Sequence, residues 1–125
     1  MLHGMCHTLY GIQHVSEDAL EKLRLELRRG AIVLAVLAQL REEHYGYSLR
    51  KSLADSGVAV EEGTLYPLLR RLEKQGLLDS EWREETKRNK RFYHLSATGR
   101  TVLDALSADW NGINVGIQKL LAGDS

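Results

Sequence analysis

The sequence predicts a mainly α-helical chain that carries one small two-stranded β-ribbon. Three observations predict it. Apolar residues recur at helical spacing along most of the chain. The period changes to two only between Leu78 and Leu95. There is a single proline and few loop-rich stretches.

The first fifteen residues, MLHGMCHTLYGIQHV, show no clear period. His3, Cys6 and His7 can be drawn together as a transition-metal set, but their spacing matches no closed tetrahedral pattern. They read better as an arm, and no metal or other cofactor is expected. Ser16 has the chemistry of a helix cap, with Glu17, Asp18 and Glu21 complementing the dipole of the first turn. Leu20, Leu23 and Leu27 make a narrow stripe, and Gly30 is a reasonable stop. So lightly apolar a helix packs on another surface, such as a second subunit, and does not form the core.

Ala31 to Leu40 reads AIVLAVLAQL, and only Gln39 breaks it. Ile32, Val33 and Val36 would also suit a buried strand. The length, three alanines and the Arg41-Glu42-Glu43 continuation favour a central, largely buried helix. His44 to Tyr47 interrupts the pattern. A helix from about Gly46 to Ser56 turns Leu49 and Leu53 inward and ends at Gly57, with Val58 to Val60 as a link.

The next helix, from Gly63 to Gly76, organises the rest. Leu65, Leu68, Leu69 and Leu72 follow the i, i+3, i+4, i+7 rule and form one stripe. At about 100° per residue, Gly63, Pro67, Arg70 and Lys74 fall on the opposite face, flanked by Tyr66 on one side and by Thr64 and Arg71 on the other. A helix fixed by leucines and presenting cations and hydroxyls suits a phosphate-lined groove. Two short helices with a tight connection, the second one basic, form a helix-turn-helix pattern.

Leu78, Ser80 and Trp82 then alternate with Asp79, Glu81 and Arg83 as one strand. Glu84 to Lys90 reads as a polar turn, and Phe92 to Leu95 as the return strand with Tyr93 and Leu95 on one face. Such a ribbon is a wing. Lys87, Arg88, Lys90 and Arg91 put four cations in six residues at its tip. Beside a basic helix, those charges suit phosphates or a minor groove.

Ser96 can cap a last helix from about Ala97 to Leu121. Leu103, Leu106, Trp110, Ile113, Ile117 and Leu120 repeat at 3, 4, 3, 4, 3, an a/d seam assigned to dimerisation, with packing inside its own chain as the alternative. Trp110 is expected as a packed interface aromatic, with a place in a ligand pocket as the alternative. The expected organisation is an arm and helix over 1–29, a winged helix-turn-helix over 30–96 and a dimerisation helix over 97–125.

Composition narrows the function. The 125 residues suffice for one domain with a real core. Formal net charge is zero, so any nucleic-acid signal must come from local asymmetry. One cysteine excludes a disulfide framework within the chain and fits a reducing cytoplasm. No apolar run approaches the roughly 20 residues of a membrane span. There are no paired catalytic carboxylates, no nucleophile–base constellation and no phosphate-cradling glycine loop, so no enzyme is expected.

Tyr45-Gly46-Tyr47, the run from Gly63 to Leu77, Glu81-Trp82 and the run from Arg91 to Gly99 together resemble the PadR-like family of bacterial transcriptional regulators. The resemblance covers about residues 30–120 and looks like the shorter-chain branch. It implies a winged helix-turn-helix homodimer that binds pseudo-palindromic operators in double-stranded DNA, mostly as a repressor. It also implies that Tyr66, nearby positions of its helix and the basic wing residues meet DNA. The chain departs from the family pattern in placing Glu61 and Glu62 before Gly63. Its wing tip reads Lys87-Arg88-Asn89-Lys90-Arg91, and residues 1–29 exceed the usual start. The chain reads as a sequence-specific DNA-binding repressor. The alternative is a winged-helix module that binds protein and has lost DNA binding. The operator and any small-molecule effector are not legible.

Overall fold

The computed structural model describes residues 2–123, with side chains from Glu17 onward. The order of elements is α1 (Leu2–Gln39), β1 (His44–Tyr45), α2 (Gly46–Asp55), α3 (Glu62–Lys74), β2 (Leu78–Glu85), β3 (Arg88–Leu95) and α4 (Ala97–Leu121). The chain divides into two compact units, residues 1–31 and 32–125.

The first unit is helical. Here the observed element differs from the sequence reading, because α1 passes without a break through Ser16 and Gly30, where a start and a stop are expected. A glycine inside a helix costs only about 1 kcal/mol relative to alanine, and good helix formers on both sides outweigh that. Gly30 also lacks the positive φ that a glycine stop requires. The side chains of His3, Cys6, His7 and Ser16 lie outside the described residues. Leu20, Leu23 and Leu27 are exposed.

The second unit holds the core. Val36, Leu37 and Leu40 of α1 and its end are fully buried against Leu49, Leu53, Leu65, Leu69 and Leu72. The stripe on α3 is therefore as the spacing predicts. α2 ends at a cap on Ser56, followed by Gly57 at φ +91°, a left-handed conformation that a side chain would oppose. α3 begins one turn-third earlier than expected, with Glu61 as the cap residue, so Pro67 lies inside the helix. Proline has no N–H, so one i→i−4 bond, the one to the Gly63 carbonyl, is missing there.

The sheet is three-stranded and antiparallel in the order β1-β3-β2. The extra strand is His44–Tyr45, whose residues pair with Tyr93 and Phe92. Two residues are too few to show a period, and their partner lies far along the chain. The ribbon is also longer than the pattern suggests. The stretch Glu84 to Lys90 is no seven-residue turn: Glu85 pairs with Arg88, Glu84 with Asn89 and Arg83 with Lys90. Only Thr86 and Lys87 turn, with φ of 52° and 64°. Two successive positive φ values match the two-residue hairpin turn whose twist suits the strands. A ribbon tip solvated on both faces has no apolar alternation to reveal its strands. Consequently only Lys87 of the four wing cations sits in the turn.

Two backbone bonds close the unit. The Leu95 N–H donates to the Leu40 carbonyl at 2.8 Å, and the Ser96 N–H donates to the Leu77 carbonyl at 3.0 Å. Ser96 caps α4 as expected, its hydroxyl accepting from the Gly99 N–H at 3.0 Å. Gly99 lies so close to the backbone just before β2 that an added Cβ would stand 2.1 Å from the Leu77 carbonyl oxygen. Leu103 is buried in the core and Leu106 packs partly against it. Beyond them α4 is exposed.

Threonine is poorly suited to φ of +52° because of its β-branch, at a cost on the order of 1 kcal/mol. Thr86→Asn is expected to raise the urea midpoint by about that amount of stability with an unchanged m-value. An unaltered midpoint would show that the turn is not strained.

Candidate nucleic-acid interface

The outward face of α3 is built by its leucines. With Leu65, Leu68, Leu69 and Leu72 inside, Thr64, Pro67, Arg70, Arg71 and Lys74 are exposed. Among the described residues none of these three cations makes an ion pair. The same holds for Lys87 and Arg88 at the wing. The acids near the helix start are partly accounted for. Glu62 pairs with Arg50 of α2 at 3.0 Å, so its charge is spent on holding α2 to α3. Glu61 is exposed.

Tyr66 is half-buried rather than outward-facing. Its ring lies over Gly46 at the start of α2, where an added Cβ would stand 2.2 Å from the phenol oxygen. Gly46 thus makes room for Tyr66, a role no local pattern announces.

Arg91 and Lys90 are also placed differently from free wing cations. The Arg91 guanidinium donates to Glu73 at 2.8 Å and to the Ser80 hydroxyl at 2.9 Å. The Ser80 hydroxyl in turn donates to the other Glu73 oxygen. One carboxylate of α3 is therefore held by both strands of the wing. Burial raises the Tyr93 phenol above its ordinary pKa, with the nearby Arg91 charge opposing the rise. Lys90 places its ammonium 4.2 Å from the centroid of the Tyr45 ring and 3.6 Å from Glu85. Neither cation is at the tip, because the hairpin turn is two residues long.

On the face of the sheet opposite Arg91, which Lys90 shares, Arg83 lies 4.2 Å over the Phe92 ring. It hydrogen-bonds Glu43, which raises its pKa, and donates to Glu81 at 2.7 Å. The described residues contain no group of three or more potential metal ligands, and none of their helices is long and apolar enough to cross a membrane.

A leucine-anchored basic helix after a short helix, followed by a wing, defines a DNA-binding transcriptional regulator of the winged helix-turn-helix class. The transcriptional regulator PadR-like family matches residues 33–105, and the chain belongs to it. A transcriptional regulator of Mycobacterium tuberculosis is 37% identical over 101 residues, spanning 80% of this chain and 92% of that protein. A PadR family transcriptional regulator from Eggerthella lenta is 47% identical with a TM-score of 0.79, covering 86% of this chain and 96% of that one. A PadR-like transcriptional regulator from Bacillus cereus is 27% identical with a TM-score of 0.69, covering 77% and 96%. The family comprises regulators, not enzymes.

Sequence reasoning did not find the Glu73–Ser80–Arg91 tie. Its members lie 7 and 18 residues apart and meet only once the wing folds onto α3. Glu73→Ala is expected to cost about 1–2 kcal/mol of stability, discounted for partial exposure. A double-mutant cycle with Arg91→Ala should give a coupling of about 1 kcal/mol in urea unfolding. Additive effects would show that the two side chains do not share a network.

Proposed function

We propose that this chain is a sequence-specific repressor acting as a homodimer on a pseudo-palindromic operator. The observation that carries the reading is the placement of five exposed cations without ion pairs among the described residues. Arg70, Arg71 and Lys74 project from α3, and Lys87 and Arg88 from the wing end. The α3 residues, with Thr64 and Tyr66 in support, meet base edges and phosphates in a major groove. Lys87 and Arg88 meet the neighbouring backbone or minor groove. Lys90 and Arg91 shape the wing as much as they add charge.

The dimer reading is supported by α4. Trp110, Ile113, Ile117 and Leu120 are 44–73% exposed, a run too apolar to be left in water. Leu103 contributes to the chain's own core, and Leu106 lies at the boundary between the two roles. A symmetric pair then presents two α3 helices to grooves about 34 Å apart. Occupancy of such an operator blocks polymerase. Selection of duplexes from a random DNA pool tests the reading directly. An enriched inverted repeat supports it, and failure to enrich any sequence overturns it. Repeating the selection with phenolic and drug-like compounds tests for an effector.

Arg88→Ala is expected to weaken binding to all duplexes alike and to lower the log–log salt slope by about one. An unchanged slope would remove Arg88 from the interface. Ile117→Lys is expected to give a monomer by sedimentation and to abolish tight operator binding. A dimer that persists would move the subunit contact elsewhere.

A further inference from the structure

Trp82 is the one large aromatic of the wing left open to solvent, at 65% exposure. It stands on β2 directly across from Arg91 of β3. Between α3 and this face of the ribbon lies an open cleft of about 330 Å³, lined among others by Tyr66, Arg70, Trp82, Lys90, Arg91 and Tyr93. Its walls combine aromatic rings with three cations. Arg91 is neutralised by Glu73 and Lys90 is near Glu85, so Arg70 is the uncompensated charge at its edge.

The cleft has a definite position relative to duplex DNA. If α3 enters a major groove and the wing reaches the adjoining minor groove, one sugar–phosphate strand separates those grooves. That strand has to pass between α3 and the wing. We propose that the cleft is the seat of that strand, with Arg70 holding a phosphate and the exposed face of Trp82 packed on the neighbouring deoxyribose. This rests on the DNA-binding reading above and adds to it a residue and a contact. The Arg91 guanidinium, 5.6 Å from the indole centroid, holds the ring in place. Glu73 and Ser80 hold Arg91 in turn. The Trp82 contact is apolar and releases no counterion, so it is blind to sequence and salt.

The test is a salt series on a selected duplex and on an unrelated one, with full-length wild type, Trp82→Ala, Trp82→Phe and Arg70→Ala. Trp82→Ala is expected to bind both duplexes about tenfold more weakly with an unchanged salt slope. Trp82→Phe should stay within about threefold of wild type. Arg70→Ala should lower the slope by about one. With 5-fluorotryptophan in both tryptophans, the fluorine resonance missing from Trp82→Phe should shift when the wild type binds duplex. That measurement holds even if Trp82→Ala does not fold. Trp82→Ala binding like wild type, or a Trp82 resonance that ignores DNA, overturns the inference while leaving the repressor reading intact. A wild type that retains no duplex overturns both.

Discussion

The geometry of the second unit depends on one carboxylate. Glu73, near the end of α3, accepts from Ser80 on β2 and from Arg91 on β3. The ribbon also joins the body through Leu78, Tyr93 and Leu95 near its base, through its pairing with β1 and through Arg83 with Glu43, and Glu73 adds a tie from α3 to both of its strands. Both ends of the tie are about one-third exposed, so its direct contribution to stability is modest. Its larger effect is geometric. It fixes the wing relative to the basic helix, and a regulator must hold the two apart by one groove.

The same economy explains how a neutral chain presents a cationic surface. Acids are drawn into pairs that serve structure: Glu62 with Arg50, Glu43 and Glu81 with Arg83, Glu85 with Lys90 and Glu73 with Arg91. These are mostly surface pairs of small individual worth. Collectively they leave Arg70, Arg71, Lys74, Lys87 and Arg88 as the cations that face outward from α3 and the wing end. Net charge is thus a poor guide here, because the sign of the local field is set by which charges are cancelled.

The last helix divides its labour along its length. Gly99 allows it to approach the backbone of Leu77, and Leu103 anchors it in the core. Past Leu106 the apolar seam runs on with Trp110, Ile113, Ile117 and Leu120 exposed. One helix therefore belongs to the fold at its start and to the proposed subunit contact at its end.

The sequence by itself determined the α3 stripe, the glycine stop at Gly57, the cap at Ser96 and the presence of a ribbon, because each is written in residues within one or two turns of each other. It also determined the family, through the run from Gly63 to Leu77. Tertiary structure decided what depends on distant partners. His44 and Tyr45 become a strand only beside β3, and the solvated ribbon shows its full length only in its pairing. Tyr66 turns inward because Gly46 leaves it space, and Arg91 is drawn from solvent by Glu73. Local periodicity records which side of an element is apolar, whereas these placements follow from contacts between elements that no window of the chain contains.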